Sequence, residues 1–441
     1  MRRAYNSGKW GKSRFYANKL LSQSSESDLA KSVIVRSYWN EGDLQKVGEI
    51  LALWREEGLD FIREKYENIT KVSPEKNKPS SPEKEVEWNP DEIISNFVQE
   101  GSLLWMKTPN MWVYWEMPSG FELENTSPAL LELAAELLLR PWVKSTKKPF
   151  SSERGFGKNY SLSFSGGTDS TAAMLLMPEN TILAYHQRDY DSMIDHRNAL
   201  KLIKHIKKYR DVIVIKSNHE RIRKTYAKPN GFSTDYASGV HLILLADFLD
   251  LKGVAFGLVI ENGWLKKASK FRDFSDSNHW NYWSKRFNEA GLHLVLPTNM
   301  ISEAGCMKIC HSNDIGQHLN SCIRGDGEVG CGKCWKCFHK NGPLGRKIDV
   351  TSHEISTYLQ KRPLRTAMHA LWAIKKMNLE HLVPDLKGQL QQDFSWWENY
   401  YAPGLEILPQ ELRKVIEKNL KLYLQLLEDP CHLTTINLFP D

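Results

Sequence analysis

The sequence predicts an α/β protein in which a mostly parallel sheet, covered by helices, lies between helical segments at the two ends of the chain. Three observations predict this fold. From Tyr160 to Leu296, short runs rich in β-forming residues alternate with helical stretches, and such alternation builds parallel sheets. A glycine-rich loop follows the first run, and four closely spaced cysteines follow the last. The 441 residues are 41% hydrophobic and 25% charged, which excludes collagen-like and wholly disordered chains.

The chain before this core divides into three parts. Residues 1–70 show the helical spacing of apolar residues. Residues 71–90 hold several prolines among Lys, Glu, Ser and Asn, so we expect a flexible linker there. Residues 91–150 predict a small α-rich segment, whose main helix begins at Pro128 with Ser127 as its N-cap.

The predicted core covers residues 151–345. Its expected strands are Tyr160–Phe164, Thr181–Tyr185, Val212–Ile215, Val254–Val259 and Leu292–Leu296. Its expected helices are Ser170–Met177, Ala199–Lys208 and Ser238–Leu249. Residues 346–441 turn helical again. They carry an apolar stripe typical of a buried helix face, formed by Leu412, Val415, Ile416, Leu420, Leu424 and Leu427.

Charge and hydropathy limit the classes of function. Lys and Arg number 59 against 53 Asp and Glu, and the resulting net charge of +6 permits nucleic-acid binding without requiring it. No stretch approaches the ~20 apolar residues of a membrane span. Arg2 and Arg3 are not followed by the apolar core of a signal peptide. We therefore expect a cytoplasmic protein that does not bind membranes and whose cysteines are thiols or metal ligands.

The glycine-rich loop has the chemistry of a phosphate site. It consists of Ser165, Gly166, Gly167, Thr168, Asp169 and Ser170. Glycines allow the backbone to approach a phosphate, and the free N–H groups at the start of the following helix attract it. The serines add hydroxyl donors, and Asp169 can hold Mg²⁺ or cap the helix. The alternative is a tight turn that needs glycine only for its backbone.

The cysteine cluster predicts a metal site. Cys322, Cys331, Cys334 and Cys337 have the spacing C-x8-C-x2-C-x2-C. Four thiolates suit structural zinc, which they enclose with no position left for substrate. The alternatives are an iron–sulfur cluster, although the next cysteine of the bacterial ferredoxin pattern is missing, and free thiols. Cys306 and Cys310 are expected to be buried thiols.

The loop resembles the S-G-G-x-D-S signature of the ATP pyrophosphatase (PP-loop) superfamily, which has the adenine nucleotide α-hydrolase-like fold. With Tyr185, Gln187 and Arg188 at the end of the second strand and the cysteine spacing, residues 160–342 resemble the 7-cyano-7-deazaguanine synthase (QueC) family. The resemblance implies that the loop binds ATP and Mg²⁺ and that the cysteines bind Zn²⁺. It also implies that ATP activates 7-carboxy-7-deazaguanine for conversion to an amide with ammonia and then to a nitrile.

Other family features are weaker in this chain. His186 replaces a glycine of the family's strand-end turn, and Phe271-Arg272-Asp273-Phe274 only partly matches a family segment that precedes the cysteines. By this resemblance the candidate substrate or nucleotide contacts are Tyr185, Gln187, Arg188, Arg272 and Asp273. Glu261 is a further candidate, since it follows a predicted strand, and strand ends face the ligand crevice of open α/β sheets.

The long segments on both sides of the core resemble the enlarged QueC-like proteins of anti-phage operons such as Qat and type IV CBASS. That resemblance implies that the deazapurine is joined to an amine of a partner protein from the same operon and that the reaction stops at the amide. One group of aromatic residues could anchor the partner or belong to the helical core: Phe394, Trp396, Trp397, Tyr400 and Tyr401.

Two other functions remain open at this point. PP-loop enzymes also adenylate tRNA bases, and this chain has basic runs, of which Lys201-Lys204-Lys207-Lys208-Arg210 is one. The other reading is a zinc-dependent scaffold without enzymatic activity. The sequence decides neither the amine donor nor the oligomeric state.

Overall fold

The computed structural model describes residues 1, 4–5, 8–23, 27–56, 79–143, 149–188, 197–228, 231–322, 330–428 and 431–439. Residues 57–70 of the expected helical segment and residues 71–78 of the expected linker lie outside the described residues. None of the helices in the described ranges combines the length and apolar character that crossing a bilayer requires.

A mixed sheet forms the centre of the molecule. Its strands, numbered along the chain, are β1 (Phe97–Glu100), β2 (Leu103–Lys107), β3 (Trp112–Glu116), β4 (Asn159–Ser163), β5 (Ile182–Arg188), β6 (Val212–Ser217), β7 (Leu251–Ala255) and β10 (His293–Val295). In the described residues the sheet has eight strands in the order β1-β2-β3-β6-β5-β4-β7-β10. The five strands β6-β5-β4-β7-β10 are parallel, and β1, β2 and β3 extend them as an antiparallel edge. Strands β8 (Leu265–Lys266) and β9 (Lys270–Phe271) form a separate hairpin.

Helices lie on both faces of this sheet, the longer ones being Pro128–Leu139, Thr168–Leu176, Arg197–Ile206, Asn278–Glu289, Glu303–His311, His353–Gln360, Ala367–Lys376 and Gln410–Lys421. The N-terminal helices Trp10–Gln23, Asp28–Glu41 and Leu44–Glu56 pack together in a hydrophobic cluster of their own. Of all these helices, three begin at a serine whose hydroxyl accepts a backbone N–H of the first turn, namely Ser27, Ser277 and Ser302. Short helices complete the chain at Ile222–Thr225, Val240–Leu244, Ile315–His318, Lys387–Leu390 and His432–Thr435.

Alternating side chains of the parallel strands pack into two different hydrophobic cores. Val254 packs into the core that includes helix Pro128–Leu139, and Ala255 packs into the core that includes helix Thr168–Leu176. In β10, Leu294 packs into the first of these cores and Val295 into the second. This alternation is the expected result of a strand with side chains on both faces.

A strand lies at each of the five predicted places, but the fourth is shifted: β7 spans Leu251–Ala255, so of the predicted strand Val254–Val259 only Val254 and Ala255 are in a strand. Two helical predictions also need correction. Residues 91–150 are not mainly helical, because β1, β2 and β3 precede the helix at Pro128 and join the main sheet through β6. The expected helix Ser238–Leu249 is shorter, with α-helix only at Val240–Leu244.

The structure also bears on the expected linker and on the aromatic group. The described end of the linker, residues 79–90, has no helix or strand, yet Trp88 packs against the main core. Of the two alternatives for the aromatic group near residue 400, the structure agrees with the helical core: Phe394, Trp397, Tyr400 and Tyr401 are buried and Trp396 is partly buried.

Candidate functional site

The predicted phosphate loop lies where the sheet changes direction. Chain order runs outward from β4 through β5 to β6, and then returns to the other side of β4 to form β7 and β10. Such a switch point is where open α/β sheets bind ligands, in the crevice beyond the carboxyl ends of the strands. All six loop residues, Ser165 to Ser170, line a cavity of about 400 Å³ at this place.

Hydrogen bonds hold the loop in shape. The Ser170 hydroxyl accepts the N–H of Ser165 at 3.2 Å and donates to the carbonyl of Gly167 at 3.1 Å. The two serine Oγ atoms are 3.0 Å apart. Helix Thr168–Leu176 begins directly after Gly167, so its first N–H groups face the cavity side. This is the arrangement that the strand–loop–helix pattern predicts.

Two glycines are needed for the loop to pack as it does. Gly166 has φ +69°, the left-handed conformation, and a Cβ there would lie 2.9 Å from Cβ of Ala199. Gly257, just after β7, would bring a Cβ within 2.8 Å of the backbone of Asp169 and Ser170. The loop is therefore held between β4 and the segment that follows β7.

Two lysines bring positive charge to the same cavity. Lys336 and Lys340 both line it, and both come from the segment that carries Cys334 and Cys337. Nζ of Lys340 donates to Oδ1 of Asp169 at 2.8 Å. Burial alone would lower the pKa of Lys340, but the carboxylates of Asp169 and Glu303 raise it above its usual value. Burial lowers the pKa of Lys336. An anion bound at the loop would therefore lie near the positively charged ammonium group of Lys340.

The other wall of the cavity is aromatic and polar. It includes Tyr185, His186, Arg188, Phe232 and Asp235. The Arg188 guanidinium lies over the Phe232 ring at 5.2 Å, and its Nε donates to Glu220 at 2.6 Å. This ion pair fixes the side chain of Arg188 at the cavity wall. The two walls together suit a ligand with an anionic end and a planar end.

Several predicted substrate residues lie elsewhere. Gln187, Glu261, Arg272 and Asp273 are not part of the described cavity lining. Arg272 donates to the carbonyls of Gly263 and Asn262, and Asp273 accepts from Ser275 in a local turn. These two residues stabilise the chain around hairpin β8–β9 instead of reaching the ligand cavity.

Glu261 is buried beneath the loop. Its Oε1 accepts the N–H of Glu303 at 2.9 Å, at the start of helix Glu303–His311. Burial, followed by the nearby Glu303 carboxylate, raises the pKa of Glu261 well above its usual value. The next residue in the chain, Asn262, does line the cavity.

The four cysteines come together as a possible metal site. Their sulfur atoms all lie within 4.8 Å of one another. Sγ of Cys334 is 3.9 Å from that of Cys322 and 3.5 Å from that of Cys337, and Cys331 and Cys337 are 3.9 Å apart. Four thiolates at ~2.3 Å from one zinc ion have sulfur atoms about 3.8 Å apart. The group can thus hold a single ion such as zinc. Such an ion would also explain why three of the four thiols are buried in one place.

The cysteine site is joined to the phosphate loop. Cys322 itself lines the cavity, and the hydroxyls of Thr168 and Ser321 are 2.6 Å apart. The Asn198 amide donates to the carbonyl of Cys322 at 2.5 Å. By contrast, Cys306 and Cys310 are buried thiols apart from the four, as expected, and burial raises the pKa of both.

Sequence reasoning missed the residues that the fold brings to the cavity from a distance. The main ones are Lys340, Asn198, Phe232, Asp235 and Ser321. Of these, Lys340 is the one next to a predicted motif, since it lies three residues after Cys337. The others lie in segments whose spacing is that of ordinary helices and turns.

A family model described as a family of unknown function (DUF6395) matches residues 282–430, less than half of the chain. The matched region contains the four cysteines and both cavity lysines, but not the loop Ser165–Ser170. No curated protein and no solved structure matches the chain.

Proposed function

We propose that this protein is an ATP-dependent C–N ligase that releases AMP and pyrophosphate, with a PP-loop core of the QueC-like kind. The carboxylate that it activates is proposed to be 7-carboxy-7-deazaguanine. The amine that receives the activated carboxylate is ammonia or, as in the enlarged defence proteins that the sequence resembles, an amine of a partner protein.

One observation carries this proposal. The S-G-G-T-D-S loop lines a cavity at the sheet's switch point, and Lys340 reaches the same cavity from the cysteine segment. Backbone N–H groups, hydroxyls and an ammonium group converge there, and this combination suits a polyphosphate. The 400 Å³ cavity volume is within the range of small-molecule sites.

The proposed reaction has two bond exchanges. A carboxylate oxygen of the substrate attacks the α-phosphorus of ATP, and the bond between that phosphorus and the bridging oxygen breaks to release pyrophosphate. The amine nitrogen then attacks the acyl carbon, loses a proton, and displaces AMP. Lys340 and the loop N–H groups stabilise the charge that develops on pyrophosphate, and Asp169 is the residue to hold Mg²⁺.

The aromatic wall supports a planar substrate. Phe232 and Tyr185 can stack against or border a purine-like ring, and the Asp235 carboxylate can accept its N–H groups. Arg188, fixed by Glu220, can pair with the carboxylate that is to be activated.

Mass spectrometry tests the proposal directly. The full chain is incubated with Mg-ATP and 7-carboxy-7-deazaguanine, with and without ammonium, and AMP and the purine products are measured. We expect AMP together with an adenylated or amidated purine, and loss of both in Asp169→Asn. Lys333→Ala is a matched control, because Lys333 is exposed on the cysteine segment outside the cavity lining.

Other outcomes would redirect the proposal. AMP release with unchanged purine under every amine condition would retain the ATP chemistry and reject this substrate. AMP release that depends on tRNA would favour tRNA modification. An absence of AMP under all of these conditions would contradict ligase activity and favour a scaffold.

A further inference from the structure

A second group of potential metal ligands lies beneath the phosphate loop, apart from the cysteines. Glu303, His339 and His369 each place one ligand atom within 4.8 Å of the others. They come from helix Glu303–His311, from the turn that follows the cysteines, and from helix Ala367–Lys376. The ring of His369 borders the Glu303 carboxylate, with Nε2, the nitrogen that faces a backbone carbonyl, 3.8 Å from Oε2.

The hydrogen bonds of His339 leave one of its ring nitrogens with a free lone pair. The Tyr358 hydroxyl donates its proton to the carbonyl of Arg365 at 2.6 Å. His339 Nε2, 2.6 Å from that hydroxyl, must therefore be the donor in the second bond. In the neutral ring Nδ1 then carries a lone pair, and within the described residues it has no hydrogen-bond partner.

His369 repeats this arrangement. Its Nε2 lies 3.1 Å from the carbonyl of His339 and donates to it, so that its Nδ1 carries the lone pair. Nδ1 of His369 is also without a hydrogen-bond partner in the described part of the chain, and both imidazoles have 0% exposure. A histidine that donates from one nitrogen to a carbonyl or hydroxyl and offers the other to a cation is the usual form of a metal ligand.

A second carboxylate, that of Glu261, lies beside the three ligands. Its Oε1 is 3.9 Å from Nδ1 of His369, and its Oε2 has no hydrogen-bond partner among the described residues. The two carboxylates together match the charge of a divalent ion. Oε2 of Glu303 makes no hydrogen bond in the described residues, but it is 3.5 Å from Nζ of Lys340, whose shorter contact is with Asp169 at 2.8 Å. Buried polar atoms without partners are costly, and a bound cation would satisfy several of them at once.

We propose that Glu303, His339 and His369 form a second, buried site for a divalent transition metal of the zinc type. Two imidazoles and one carboxylate are a ligand set that proteins use for zinc. Glu303, His339, His369 and Glu261 are not part of the described cavity lining. The ion would tie helix Ala367–Lys376 to the cysteine segment, and this role does not depend on the proposed ligase activity.

Metal content tests the second site in the full chain. The protein is stripped with a chelator and reloaded with Zn²⁺ or Co²⁺, and metal per chain is measured by mass spectrometry. We expect one more equivalent than the four cysteines hold. Glu303→Gln, which keeps the side-chain shape, should lose that equivalent and retain the near-ultraviolet thiolate–cobalt absorption. The double variant Cys331→Ser with Cys334→Ser should lose the absorption and keep the other equivalent.

His381→Ala, at an exposed histidine, serves as the matched control and should keep the full metal content. His369→Ala tests the imidazole ligand directly. If His369→Ala does not fold, the metal content of Glu303→Gln decides whether the second site exists. The proposal is overturned if the native chain binds only the equivalent reported by the thiolate absorption. It is also overturned if Glu303→Gln and the native chain bind the same amount of metal.

Discussion

Nζ of Lys340 lies 2.8 Å from Oδ1 of Asp169, although the two residues are 171 positions apart in the chain. Asp169 belongs to the phosphate loop, and Lys340 follows the last of the four cysteines. This ion pair therefore links the two motifs that are most conspicuous in the sequence. A change in the cysteine segment will reach the phosphate loop through it.

Replacing Lys340 should reduce both ATP turnover and stability. Lys340→Met leaves the carboxylates of Asp169 and Glu303 without their shared ammonium group, and breaking a buried ion pair from one side costs ~3–5 kcal/mol. We expect AMP formation to fall by about 100-fold, the usual effect of losing one group that stabilises developing charge. Lys340→Arg should recover part of the activity, and Lys333→Met should have little effect in steady-state assays of AMP. Full AMP formation by a folded Lys340→Met variant would contradict this role.

A methyl group at Gly257 should displace the phosphate loop. The Cβ of Gly257→Ala would lie 2.8 Å from the backbone carbon of Asp169 and the backbone nitrogen of Ser170, and neither backbone atom can yield as a flexible side chain does. We expect weaker ATP binding, by about 10-fold or more, since small displacements of a positioned site are costly. Isothermal titration with Mg-ATP measures the change.

Gly155→Ala is the control for this experiment, because a Cβ at Gly155 meets nothing within 4 Å. Equal ATP affinity in the two alanine variants would show that the packing of Gly257 does not position the loop.

Removing metal from the cysteine cluster should loosen the whole segment that carries Lys336 and Lys340. Structural zinc contributes directly to folding free energy, so we expect Cys334→Ser to lower Tm by about 5 °C or more. ATP turnover should fall with it, because Lys340 is held by the same segment. Differential scanning calorimetry before and after chelation gives the stability change. Cys431→Ala replaces a thiol outside the cluster and is the control. Chelation should lower its Tm by the same amount as it lowers the Tm of the native chain.

Local sequence patterns predicted the parallel core well and the segment before it poorly. The alternation of β and helical runs located the five parallel strands, because such strands bury side chains on both faces and form short apolar runs. The predicted position of β7 was too far towards the C-terminus, since the mostly apolar run continues to Val259 beyond the end of the strand at Ala255. Strands β1, β2 and β3 were missed. Strands β2 and β3 have no clear period of two, since three consecutive residues are buried in each. Strand β1 has four residues, of which one is buried.

The site was predictable where its residues are close together in the chain. The loop Ser165–Ser170 and the four cysteines each form one short motif, and the fold brings each motif together as expected. The proximity of the two motifs, the pairing of Lys340 with Asp169, and the His339–His369 group arise from tertiary packing. No local spacing encodes contacts between residues that lie 30 or 171 positions apart.

The stability of the fold should decrease as pH falls from about 6.5 to 4, because of buried histidines. Burial lowers the pKa of His241 from 6.5 to about 4. The unfolded chain therefore takes up a proton in this range while the folded chain does not. The contribution of His241 is fully present above pH 6.5 and is lost as pH falls towards 4. This difference in pKa corresponds to about 3 kcal/mol.

Burial likewise lowers the pKa of His219 well below its usual value, and His219 should add to the same loss of stability. His241→Asn separates the two effects, since it removes one titrating group. The variant should be less stable at pH 7 but should lose less stability between pH 7 and pH 5 than the native chain. Urea unfolding at the two pH values provides both free energies. If the native chain and the variant lost the same free energy over this range, His241 would not be the group whose protonation opposes folding.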